Sequence, residues 1–182
     1  MADTSQPTVF DYATGTQWRL GFQRLPKTTW FCTAANIPGI NLGEAQYPTP
    51  LHDLYLIGDK LTFENLTVTF LVDEELQNYR EIWNWLVGMG APKKYSQWVD
   101  ELKKGDGNVV QKGEHYSDSN FYSDATLIVY NSKNIPKVNI NFKNMFPTSL
   151  SSLEYSQETT DVEYFKATAS FRYFYYEFET ST

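Results

Sequence analysis

His52 and His115 are the only histidines in the chain, and histidine is the side chain best suited to proton transfer near neutral pH. Both stand in loop-like contexts. Neither belongs to a nucleophile or metal motif, and HExxH, GxSxG and the GxxxxGK phosphate loop are all missing. Carboxylates gather at Asp73-Glu74-Glu75 and again at Glu158, Asp161 and Glu163. Two acids held about 5 to 10 Å apart can share acid–base work, but the first cluster stands where a helix begins and the second in a polar turn. Asp106 and Asn108 between glycines faintly follow a calcium loop, yet Val110 occupies a position that needs an oxygen ligand and no glutamate closes the pattern. The single Cys32 excludes an internal disulfide and a paired-thiolate zinc site. Following Trp30 and Phe31, it reads as a small core residue. These residue types predict no catalytic, cofactor or metal site.

Elements that position side chains for some other task are easier to find. A length of 182 residues fits one domain or one domain with an insertion. Aromatic residues reach 16%, a density that suits half-buried sheets and subunit interfaces. The net charge of -7 opposes any grip on phosphate backbones. No stretch approaches the roughly 18 apolar residues that span a bilayer. Met1 to Pro7 carries neither the basic nor the apolar part of a signal peptide, so the chain is expected to be cytosolic where it is made.

Residues 1–16 are polar and read as an N-terminal arm, and 17–182 as a single domain. Trp18, Leu20 and Phe22 alternate with Arg19, Gly21 and Gln23; a turn at Lys27-Thr28 then leads to a second strand, Thr29 to Ala35. Residues 36–59 hold Pro38, Gly39, Pro48, Pro50 and Gly58 around short apolar pieces such as Leu54 to Ile57. They predict an extended arm that needs a partner to cover it. Leu66, Val68, Phe70 and Val72 mark a half-buried strand. Asp73 is the expected helix N-cap, with Glu74 and Glu75 in the first turn. Leu76, Tyr79, Trp83 and Leu86 form the expected buried stripe, flanked by Ile82 and Val87, and Gly88 or Gly90 with Pro92 ends the helix.

Residues 91–123 read as a polar loop insertion with one short helix, Gln97 to Lys104. Ala125 to Tyr130 and Lys137 to Phe142 form a hairpin about Asn131 to Asn134. Phe146 to Ser149 breaks the pattern, and Phe165 to Phe178 alternates as one long final strand. The fold class is mainly β: a β-sandwich or barrel with one flanking α-helix.

Four passages, in order, resemble the T-even-type phage tail tube protein family, which is related to type VI secretion tube proteins. Thr33 to Ile40 looks like the family's strand ending in a Pro-Gly turn. Gly58-Asp59-Lys60-Leu61-Thr62-Phe63-Glu64-Asn65-Leu66-Thr67-Val68-Thr69-Phe70 is the closest of the four, and an acidic segment and a Trp- and Tyr-bearing helix follow it. Asn144-Met145-Phe146-Pro147-Thr148-Ser149-Leu150 is similar to the family's aromatic-Pro-Thr turn, which precedes a short strand, here Leu153 to Tyr155. The long terminal strand, aromatic near its end, is the fourth.

The resemblance implies a tail-tube-like fold in a virion tail, made and assembled in the host cytoplasm. It implies six copies per ring, rings stacked inside a contractile sheath, and DNA passing through a lumen without specific binding. Partners would be the chain itself and sheath, baseplate and tail terminator proteins, with no membrane and no cofactor. Contacts between subunits or rings are expected at Ile40, Leu42, Tyr47, Leu54, Tyr55, Leu56, Phe174, Tyr176 and Phe178. The negative net charge implies a lumen that repels phosphate. Baseplate tube initiators, tail terminators and type VI secretion-like rings share the fold. A different class, a monomeric β-barrel ligand carrier, predicts a closed pocket, and an enzyme predicts a histidine beside a carboxylate in a cleft.

Overall fold

Alternating burial, the signature of strands with one face on a core, runs through three segments of the computed structural model, which describes residue 12 and residues 14–103, 121–157 and 164–180. They are β5 (Leu66–Leu71), β6 (Ser123–Tyr130) and β8 (Lys166–Arg172). Around them lie β1 (Trp18–Phe22), α1 (Pro26–Phe31), β2 (Cys32–Ala35), β3 (Ile40–Pro48), β4 (Asp53–Phe63), α2 (Gln77–Gly90), α3 (Tyr95–Lys103), β7 (Pro136–Leu150) and β9 (Tyr175–Thr180). Seven strands join in the order β1-β6-β7-β8-β5-β2 with β9 also on β7, while β3 and β4 form a separate hairpin. All pairings are antiparallel. The fold is mainly β, as expected, with α2 as its principal helix and, among the described residues, the shorter α1 and α3 beside it.

The long strand β7 gives the sheet its two halves. Residues Pro136 to Phe142 and, past a bulge, Met145 pair with β6, and Val138 to Lys143 pair with β9 on the other side. Phe146 to Leu150 pair with β8 instead. The switch falls at Asn144, which takes a left-handed conformation (φ 53°). Asp124 secures it: one carboxylate oxygen accepts from the Asn144 N–H at 3.1 Å and the other from Lys143 Nζ at 2.6 Å. A bulge with a residue in this conformation bends a strand and sharpens its twist. Rings from the two halves then meet, Phe22 with Phe171 and Phe142 with Tyr173. Leu66, Val68, Phe70, Ile140 and Phe171 are almost wholly buried between them.

Several local expectations fail. Thr29 to Phe31 is helical, not strand: Pro26 stands at the start of α1, where its missing N–H costs nothing. The polar hydroxyl of Thr29 turns back to Leu25 O. Asp73 is no N-cap, because the helix starts at Gln77 after Leu76 takes a left-handed conformation (φ 55°). Buried Asn78 instead ties the helix to β5, donating to Leu71 O at 2.7 Å and accepting from Asp73 N. The buried stripe is consequently Asn78, Ile82, Trp85 and Gly88, and Trp83 lies half exposed on another face. Trp85 donates its indole N–H to Phe121 O at 2.9 Å and has the Arg24 guanidinium over its ring.

Phe146 to Ser149 does not break the strand. Pro147 is buried opposite Phe171, and the register shifts just beyond it, a bulge that accommodates a residue with no N–H to give. Leu153 to Tyr155 is not a strand. The terminal run divides at Tyr173-Phe174 into β8 and β9, where Phe174 N donates to Lys143 O, so one partner of β7 changes from β9 to β8 at this corner. The short helix of the 91–123 stretch spans Tyr95–Lys103. Residues 104–120 of that stretch lie outside the described residues.

Candidate assembly surface

The β3–β4 hairpin is where this sequence leaves apolar surface without cover. Every residue of β3 is exposed, and in β4 all but Gly58 and Phe63. Cross-strand pairs show how its side chains group, because directly opposite residues share a face. Near the base Ile40 faces Phe63 and Leu42 faces Leu61. Near the tip Ala45 faces Leu56 and Tyr47 faces Leu54, while the alternate pairs are Glu44 with Ile57 and Gln46 with Tyr55. Apolar groups thus occupy both faces of a two-stranded ribbon, and a lone hairpin of this kind is at best marginally stable in water.

Its base is fixed. Glu64 N donates to Gly39 O at 3.0 Å. Asn36 accepts from Thr67 N and donates to Asn65 O. Tyr173 donates to Glu64 O at 2.9 Å, and Tyr176 donates to Pro38 O at 3.1 Å. Phe63 packs edge-on against Tyr176 and tilted against Tyr173. Burial, with Tyr176 and Glu64 nearby, pushes the Tyr173 hydroxyl up to about 12, so it stays a protonated donor at neutral pH.

The residues expected to make contacts divide into three groups. Ile40, Leu42, Tyr47, Leu54, Tyr55 and Leu56 are all exposed on the hairpin. Phe174 and Phe178 are exposed at the β8–β9 corner and on β9. Tyr176 differs: it is half buried, packs on the core and serves the hairpin's base rather than an outer face. Sequence reasoning passed over Ile57, 86% exposed, and Leu61, 48% exposed. Ile57 closes the run Leu54-Tyr55-Leu56-Ile57, and an apolar run without alternation was itself the sign of a two-faced strand.

Candidate chemistry elsewhere stays scattered. His52 lies in the exposed hairpin turn, where its backbone N–H donates to Thr49 Oγ1 at 3.3 Å. His115, Asp106, Asn108, Glu158, Asp161 and Glu163 lie outside the described residues. Among the described residues no three His, Cys, Asp or Glu side chains are grouped to hold a metal ion. Cys32 is half buried, and burial pushes its thiol up to about 11, which leaves it a poor nucleophile. Burial also raises the Glu81 carboxyl, against the pull of Lys27 and the backbone N–H groups of Lys27 and Thr28. The bond to Asp124 raises the Lys143 ammonium.

The family described as phage tail tube protein matches residues 14–179. No curated protein sequence matches the chain. Among solved structures, the chain is similar to the tube-terminating cap of the anti-feeding prophage, with TM-score 0.55, 16% identity and full coverage of both chains. It is similar to the sheath/tube terminator of an extracellular contractile injection system, PVC, in the extended state, with TM-score 0.54 and 13% identity over 94% of this chain and 99% of that one. The sheath–tube complex of the same kind of system follows at TM-score 0.53 and 14% identity, again with full coverage of both chains. Identities this low establish a shared fold.

Proposed function

The chain belongs to the phage tail tube protein family, and from that premise we propose that it assembles into hexameric rings stacked as the inner tube of a contractile phage tail. It is a tail-tube-type structural protein, and the finer reading concerns ring number, stacking and DNA passage. The observation that carries it is the β3–β4 hairpin, apolar on both faces, held at its base and bare at its tip. A second copy of the same chain supplies the missing cover, and a contact repeated about an axis closes a ring or extends a filament. Exposed β9, paired only with β7 among the described residues, offers a sheet edge of the kind that ring closure removes.

The sheet surface opposite the core supports passage of a duplex. Thr126 Oγ1 bonds Asn141, which bonds Glu179 at 3.1 Å. Asp124, Glu177 and Glu179 share the strand parity of this face with Arg19, Lys137 and Lys143, one of these cations being held by Asp124. We assign this amide-rich, nearly charge-balanced face to the lumen. It offers no cluster of cations to grip phosphate, which is a gentler device than the strongly negative bore that net charge alone suggests.

Negative-stain electron microscopy with light scattering on the same purified sample tests the proposal. Stacked rings with a central bore are expected. Single rings that never stack point to an end position such as a terminator, and a persistent monomer counts against the assembly reading and directs attention to ligand carriage.

A further inference from the structure

The hairpin carries a defect in its ladder that its anchoring does not require. Leu42 pairs with Leu61 and Glu44 with Ile57, so two steps along β3 match four along β4. Gly58, Asp59 and Lys60 therefore stand opposite Gly43 alone. At this point the two backbones touch. A Cβ on Gly58 would lie 2.4 Å from Gly43 O and 2.6 Å from Gly43 C, far inside van der Waals contact, whereas one on Gly43 would meet Lys60 O at 3.3 Å. Only glycine allows that approach. An uneven match of this kind bends the strands and increases their twist.

We propose that the Gly43–Gly58 crossing is the aiming device of the hairpin, and that Gly58 is a positioning residue for docking of the tip onto a second copy of this chain. The inference rests on the assembly reading above. Everything before the crossing is fixed by the base contacts of Gly39, Glu64, Tyr173 and Tyr176. Everything beyond it, Glu44–Pro48 and Asp53–Ile57, carries exposed apolar groups, and its ladder bonds run between β3 and β4 alone among the described residues. The five residues from Glu44 to Pro48 extend about 17 Å at strand rise. A change of direction at the crossing of about 20°, the twist between neighbouring strands, moves the tip by roughly 6 Å. That is more than the width of a side chain, enough to miss a shaped docking surface. The crossing thus decides where Tyr47, Leu54, Tyr55 and Leu56 arrive while contributing nothing to the buried core.

The test compares wild type, Gly58→Ala and Gly43→Ala as full chains, with assembly read by electron microscopy and light scattering and folding by thermal melting. Gly58→Ala is expected to melt with wild type yet assemble at least tenfold less. Gly43→Ala, whose added methyl needs only a slight shift, is expected to lose less. A folded Gly58→Ala chain that forms wild-type tubes overturns the aiming role and leaves the assembly reading standing. Should Gly58→Ala unfold altogether, Gly43→Ala decides: wild-type assembly by that folded variant overturns the proposal too. A wild-type chain that stays monomeric at every concentration overturns the assembly reading and this inference together.

Discussion

The sandwich and the β3–β4 hairpin use the same residue types under opposite conditions. In β5, Leu66, Val68 and Phe70 are buried because β8, β2 and the facing half-sheet surround them. In the hairpin, Leu42, Tyr47, Leu54 and Ile57 are exposed because the described residues provide no second layer over either face. Local sequence makes a strand in both places. Burial is a property of what lies opposite, and among the described strands β3 and β4 stand outside the sheet that supplies that partner. The difference separates residues that hold the monomer from residues available to bind copies of it.

Substitutions can break that division, and the largest effect is expected at Trp85. Trp85→Ala removes a buried ring and its bond to Phe121 O, and should cost about 3 to 5 kcal/mol in chemical denaturation. A loss below about 1 kcal/mol would place Trp85 outside the core. On the hairpin side, Leu54→Asp combined with Leu56→Asp should leave the denaturation midpoint unchanged. Assembly should fall at least tenfold, equivalent to about 1.4 kcal/mol; tubes formed at wild-type yield would remove the tip from the contact.

The corner joining the two half-sheets lies between these extremes. Asp124→Ala deprives Asn144 N of its acceptor and Lys143 of its partner, with an expected loss of about 1 to 2 kcal/mol. Most of that comes from the backbone N–H, since solvent screens the ion pair. Trp83→Ala sharpens the comparison from the other direction. Half exposed on α2, it should change stability by no more than about 0.5 kcal/mol, and a larger drop in melting would return it to the core.

The smallest effect is a pH dependence at Glu81. Its carboxyl is raised in the folded chain by burial, and Oε2 is buried with no hydrogen-bond partner. The folded state therefore holds the proton more tightly than the unfolded one. The stabilisation is complete below the ordinary value near 4.5 and is lost as pH rises through the raised folded value. Melting curves of Glu81→Gln and wild type should converge in acid and separate towards neutrality. Parallel curves across that window would mean Glu81 does not titrate abnormally.

Much of the scaffold was legible in the sequence. Alternation at Leu66 to Phe70 and Ala125 to Val129, and the turn at Asn131 to Asn134, announced strands because period two is a local property of the chain. The helix after β5 was legible as well, but not its buried face. The stripes Leu76-Tyr79-Trp83-Leu86 and Asn78-Ile82-Trp85-Gly88 both have helical spacing, and buried Asn78 disguised the true one. Its amide is satisfied by Leu71 O, a partner that exists only once β5 and α2 are packed. The contact residues divide in the same way. The exposure of Leu54 and Tyr55 follows from an apolar run among prolines, whereas the inward turn of Tyr176 depends on Pro38 O arriving beside it.

By itself the sequence determined a mainly β chain, its principal helix and an extended arm with apolar pieces, because periodicity, turn residues and apolar count act over a few neighbouring residues. The tertiary structure decided the sheet switch at Asn144, the division of the terminal strand at Phe174, the buried face of α2 and the Gly43–Gly58 crossing. Each of these is a meeting of segments distant along the chain, or a choice between two locally equivalent faces, and its energy appears only when both sides are in place.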